Sequence, residues 1–197
     1  MNLCFEGKSE VIREIKRRLI GEKNRKDSRL ILFAGGGGMA GAYSAGVLAA
    51  FEELGGGRIF DTTVGVSAGS VNLAFYLSGQ ARELPSLYRN FAIERAINPF
   101  RVWNIFNSEA VDLTISNNVA YSRLLENKTQ FFVGATSLRD GNGVLFNVKT
   151  VYWRQAIKAS STPPLTPNAG VSIGKGKYVD GEIGFPFPVK IICDEFL

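Results

Sequence analysis

Twice before residue 80 a short apolar run ends on a glycine turn and an apolar helical repeat follows at once, a pattern that leaves few options besides an α/β sheet. Residues 29–34 (RLILFA) stop at Gly35-Gly36-Gly37-Gly38, and Tyr43, Val47, Leu48, Phe51 and Leu54 then recur at helical spacing until residues 55–57 (GGG) end the repeat. Residues 59–66 form a second run rich in β-branched residues, and residues 70–77 (SVNLAFYL) a second apolar helix, with Ser67 between them. Each unit reads as a buried strand entering a helix through a tight loop.

The second junction carries Gly65-Val66-Ser67-Ala68-Gly69, the GxSxG pattern of a nucleophile elbow, in which flanking glycines permit a sharp turn that presents the serine hydroxyl. A serine hydroxyl is a weak nucleophile and needs a base. The chain contains no histidine, so a Ser/His/Asp triad is excluded: either an aspartate serves as the base or the pentapeptide is a coincidence. Two Asp-Gly pairs offer such an aspartate. Asp140 sits in RDGNG, between apolar runs at 130–137 and 144–148, where a hairpin turn explains it fully. Asp180 follows Tyr178-Val179 and precedes Ile183, Phe185 and Phe187, a setting for a partly buried carboxylate; taken alone it also reads as a plain turn.

Acyl chemistry also needs backbone N–H donors for an oxyanion, and the glycines after residue 34 supply donors with no side chain in the way. The same residues have a rival reading, since Gly36, Gly38 and Gly41 fit GxGxxG with Asp61 twenty residues further on. Asp61 precedes its apolar strand core instead of ending it, which counts against a dinucleotide site.

Elsewhere, residues 84–97 and 108–125 have patchy helical periodicity around an aromatic stretch at 99–106, residues 150–159 read as a helix, and 160–170 as a proline-containing loop. Short runs at 171–173 and 177–179 flank a glycine and lysine turn. At 197 residues, 45% of them hydrophobic, the chain has material for one domain with a substantial core. Cys4 and Cys193 match no metal spacing and read as free thiols of a reducing compartment.

The formal charge of +5 is concentrated near the start, where residues 8–29 hold nine basic and four acidic side chains. Val11, Ile12, Ile15, Leu19 and Ile20 recur there at helical spacing, giving a basic amphipathic helix. Two readings stand: a helix docked on the domain with a solvated charged face, or a surface that meets anionic phospholipid headgroups. Nucleic acid is the weakest partner, because no aromatics interleave with the charges. No run approaches the length of a membrane-spanning helix, and the first residues lack a signal-peptide pattern, so the expectation is a cytoplasmic protein, with peripheral membrane contact only on the second reading of that helix.

Four segments in one order resemble the patatin-like phospholipases: residues 35–55 (GGGGMAGAYSAGVLAAFEELG), 65–72 (GVSAGSVN), 132–147 (FVGATSLRDGNGVLFN), and 156–167 (AIKASSTPPLTP) with 178–182 (YVDGE). The resemblance implies a three-layer α/β/α fold with a mainly parallel central sheet. It further implies a lipid acyl hydrolase with Ser67 as nucleophile, Asp180 as its base, Gly36, Gly37 and Gly38 as oxyanion donors, and no metal or cofactor. Phospholipid or another lipid ester is then the expected substrate. Residues 1–28 are expected to form the basic helical segment and 29–197 the catalytic domain.

Three departures accompany the resemblance. Ala40 stands where the family usually carries Lys or Arg, Glu182 replaces the second glycine of DGG, and Phe185 replaces a common asparagine. The chain also stops at Leu197, where relatives continue with another strand and helix, so a shortened domain is expected with 190–193 (KIIC) as the cut strand. These departures keep two alternatives in view: a lipid-binding pseudoenzyme, and an acyltransferase using the same dyad.

Overall fold

Both strand-to-helix junctions read from the glycine pattern form, and they sit side by side. β1 (Ile31–Ala34) leads through the glycine loop and a 3₁₀ turn (Gly38–Ala40) into α2 (Gly41–Glu53). β2 (Thr62–Val66) leads through Ser67 into α3 (Ala68–Leu77). The computed structural model describes residues 9–22, 28–97, 108–149, 152–164, 170–185 and 192. The remaining described elements are α1 (Ser9–Leu19), a second 3₁₀ turn (Ala81–Glu83), α4 (Leu84–Ile97), α5 (Ser108–Asn118) and α6 (Tyr121–Glu126). They are followed by β3 (Gln130–Ser137), β4 (Gly143–Asn147), α7 (Trp153–Ser160), β5 (Val171–Ile173) and β6 (Gly176–Asp180). The aromatic stretch at 99–106, Cys4 and Cys193 lie outside the described residues, as does 190–193 except for Ile192, which is buried.

One mixed sheet joins all six strands. β1, β2 and β3 are mutually parallel neighbours, with Phe33 opposite Val64 and Val64 opposite Phe132. β4 folds back on β3 through the expected hairpin, with Gly141 at φ 74° and the Asp140 side chain accepting the Asn142 N–H at 3.1 Å. β6 runs antiparallel to β3 and β5 antiparallel to β6. Four strands therefore point one way and two the other, and helices cover the sheet in a three-layer α/β/α arrangement.

Helix α3 is apolar on nearly every side because it lies between the sheet and α2; Leu73, Ala74, Phe75, Tyr76 and Leu77 are all buried. Phe131 and Val133 of β3 and Ile157 of α7 extend the same core, each side chain of this kind contributing about 1.5–3 kcal/mol through burial. At the start of α7, Trp153 stacks on Tyr121 of α6 with ring centroids 4.5 Å apart.

Helix α1 docks through a charge as well as through Ile15 and Leu19. Arg18 is only 7% exposed; its guanidinium donates to the Asp61 carboxylate (2.8 Å), to the Ile59 carbonyl (2.7 Å), to the Ser28 carbonyl (3.0 Å) and to Glu14 (2.8 Å). Asp61 also accepts the Leu30 N–H at 2.7 Å. The acidic residue of the rival dinucleotide pattern is thus committed to fastening α1 to the entrances of β1 and β2.

Candidate active site

The GxSxG glycines are set by close approach. A methyl group on Gly65 would lie 2.6 Å from the Ser70 Cα, and one on Gly69 would strike the Ala34 carbonyl oxygen, because α3 turns back directly over the ends of β1 and β2. That reversal puts Ser67 at φ 52° and ψ −127°, and it is the one non-glycine residue with positive φ among those described. Such a conformation costs about 1–3 kcal/mol and persists only where its surroundings enforce it. Ser160, the last residue of α7, helps enforce it: its hydroxyl accepts the Ser67 N–H at 2.8 Å and donates to the Gly134 carbonyl at 2.6 Å.

Asp180 reaches Ser67 because β3 is a shared template. Gly134 has Val66 of β2 on one side and Leu145 of β4 on the other; Ala135 has Asp180 of β6 and Val144 of β4. A strand residue has one neighbour on each side, so β2 and β6 occupy the same edge of β3, end to end. Their ends meet. The Ser67 hydroxyl donates to Asp180 Oδ2 at 2.7 Å. The Asp180 backbone is pinned as well, its N–H donating to the Thr162 carbonyl (2.8 Å) and its carbonyl accepting from the Thr136 hydroxyl (2.6 Å).

Burial pushes the Asp180 carboxyl above the ordinary aspartate range. The Glu182 N–H, donating to Oδ1 at 2.9 Å, and the Ser67 hydroxyl hold that rise back, while the negative charge of Glu182 adds to it. Asp140, in contrast, is exposed, and the Asn142 backbone N–H holds its carboxyl below the usual range. The two Asp-Gly pairs separate cleanly: one is a turn residue and the other faces the serine.

The glycine loop passes beside this pair. A methyl on Gly36 would sit 2.6 Å from Ser67 Cβ and 2.5 Å from Glu182 Oε1, so only glycine lets the loop lie against the elbow. Gly37 and Gly38 have φ of 108° and 57°, and among the described residues the N–H groups of Gly36, Gly37 and Gly38 have no hydrogen-bond acceptor. Behind the loop, the buried Asn72 of α3 donates to the Gly41 carbonyl and to the Ser44 hydroxyl, each at 2.9 Å, and accepts from the Tyr88 hydroxyl at 3.0 Å. Phe185, buried at 4% exposure, covers Gly134 and Gly143. Ala40 is exposed, and residues 35–41 carry no charge. No group of three or more potential metal-ligating side chains occurs among the described residues, and none of their helices is long and apolar enough to cross a membrane.

The family model for patatin-like phospholipases matches residues 32–192, which takes in the glycine loop, Ser67, Ser160 and Asp180. This chain belongs to the patatin-like phospholipase family. The family is one of lipid hydrolases. Among its relatives, the Uncharacterized protein YjjU of Escherichia coli (strain K12) is 28% identical over 173 residues, covering 82% of this chain and 48% of that protein. The structure of VipD from Legionella pneumophila superposes with a TM-score of 0.52 at 14% identity, over 79% of this chain and 46% of that one, a likeness of fold. This patatin-like chain therefore spans about half the length of the proteins it matches.

Asn72, Ser160 and the Glu182 side chain have no assigned role in the sequence reading. Asn72 and Ser160 fall inside the segments that carry the family resemblance, and that is the only sequence signal that marks them.

Proposed function

We propose that this chain hydrolyses fatty-acyl esters of lipids through an acyl-enzyme on Ser67, with Asp180 as general base. The supporting observation is the 2.7 Å hydrogen bond from the Ser67 hydroxyl to Asp180 on a backbone held in a strained elbow. As the Ser67 oxygen attacks the ester carbonyl, its proton passes to Asp180, and the carbonyl oxygen becomes an oxyanion facing the N–H groups of Gly36, Gly37 and Gly38. Collapse expels the lipid alcohol, which takes the proton from Asp180. Water then gives a proton to Asp180 and attacks the acyl carbonyl; departure of the Ser67 oxygen, reprotonated by Asp180, frees the fatty acid. Burial favours this use of an aspartate, because a raised carboxyl pKa makes it a better proton acceptor once ionised.

Ser67→Ala is expected to lower fatty-acid release from p-nitrophenyl esters and lipid vesicles by about 10⁴-fold or more while the circular dichroism spectrum stays native. Turnover equal to the parent chain would remove the assignment.

A further inference from the structure

Beside Ser67 and the glycine loop lies a second carboxylate that the mechanism above does not use. Glu182 lies in the turn directly after β6, its N–H tied to Asp180 Oδ1. Its side chain reaches back to the glycine loop, so that Oε1 and Ser67 Cβ press on the same point beside Gly36. Glu182 is exposed, and its carboxylate has no hydrogen-bond or ion-pair partner among the described residues. No cation offsets it from the loop opposite, since Gly35-Gly36-Gly37-Gly38-Met39-Ala40-Gly41 is uncharged. An ester whose carbonyl carbon meets the Ser67 oxygen and whose carbonyl oxygen faces Gly36 therefore lies beside this negative group.

We infer that Glu182 is a specificity-determining residue, a charge filter that favours net-neutral acyl esters and disfavours lipids bearing an anionic group close to the scissile ester. The inference rests on the Ser67 hydrolase reading and deepens it. A neutral glyceride presents only ester and hydroxyl oxygens next to the reacting carbonyl. A phosphatidylglycerol or phosphatidic acid carries its phosphate on the glycerol carbon next to the one bearing the sn-2 ester, so that with this ester at Ser67 the phosphate comes close to Glu182. Like charges at that separation repel measurably when no counter-charge is fixed nearby, and the repulsion weakens with salt because Glu182 is exposed. The side chain also occupies volume beside Gly36, so charge and bulk must be separated by experiment.

The test uses the full chain with Glu182→Gln, which keeps the shape, and Glu182→Gly, which removes both shape and charge. Dioleoylglycerol and dioleoylphosphatidylglycerol are presented in the same neutral detergent micelles, and each variant's rates are normalised to its own p-nitrophenyl butyrate turnover. The parent chain is expected to prefer dioleoylglycerol. Glu182→Gln should raise the ratio of kcat/KM for the anionic over the neutral lipid by about tenfold, and 0.5 M NaCl should shrink the difference between parent and variant. An unchanged ratio in Glu182→Gln, with p-nitrophenyl butyrate turnover present, overturns the filter and leaves the hydrolase reading standing. A ratio that changes only in Glu182→Gly assigns the effect to bulk and overturns it too. Absence of all ester turnover in the parent chain removes the hydrolase reading, and the filter with it.

Discussion

Ser67 occupies a backbone conformation that a residue with a side chain seldom adopts, and the groups around it explain why it stays there. Ser160 is central, because it satisfies the Ser67 N–H and ties it to β3 through Gly134. Ser160→Ala leaves that buried N–H and the Gly134 carbonyl without this partner, so a loss of about 1–3 kcal/mol in unfolding free energy is expected, with kcat falling more than KM rises. Urea unfolding and steady-state kinetics check the two parts; native stability with normal kcat would show that the hydroxyl is dispensable. Asp180 makes a prediction about pH. A base must be ionised to accept a proton, so activity appears as pH rises through its pKa, and burial places that acid limb above the ordinary aspartate value of about 3.9. Glu182→Gln removes a charge that contributes to the rise and is expected to move the limb to lower pH. Stability has the opposite sign. A carboxyl raised on folding lends its stability fully below the unfolded pKa and loses it as pH rises through the folded one. Asp180→Asn should therefore melt at a higher Tm than the parent at pH 7 while losing turnover, and a lower Tm would show that the carboxylate stabilises the fold.

Among the elements, β3 does most to build the site, and it does so by pairing along one edge with two strands that end where they meet. This is where sequence reading reached its limit. The elbow is legible because Gly65 and Gly69 are spaced as the reversal of α3 over β1 and β2 requires, a local constraint written in five residues. Asp180 is different: on its own residues it is one of two Asp-Gly pairs, and only the order of motifs shared with the patatin-like family singles it out. The pairing of β2 and β6 on β3 joins positions 113 residues apart, and no local pattern encodes it. Ser160 ends a helix, where serine is common, and the direction taken by Glu182 depends on the loop it meets. Element docking also revises the reading of the basic helix, since Arg18 is not on a solvated face but buried against Asp61. Arg18→Ala should cost about 3 kcal/mol by leaving Asp61 and the Ile59 carbonyl without that donor. Thermal unfolding checks it, and a Tm shift under 1–2 °C would mean that Ile15 and Leu19 alone hold α1.

For the whole molecule, the three segments that converge on Ser67 come from the first strand's exit, the second strand's end and the last described hairpin, so the site exists only when the sheet is assembled. The patatin-like family match spans the same stretch, from residue 32 to 192. The central claim is that this assembly activates Ser67 through Asp180 without a histidine. A fluorophosphonate probe tests it most directly, followed by intact-mass and peptide mass spectrometry of the parent chain, Ser67→Ala and Asp180→Asn, each shown to be folded. The account predicts one adduct per chain on Ser67 in the parent, none in Ser67→Ala, and labelling slowed by about 10²-fold or more in Asp180→Asn. No adduct on the folded parent chain, or labelling of Asp180→Asn at the parent rate, would contradict it.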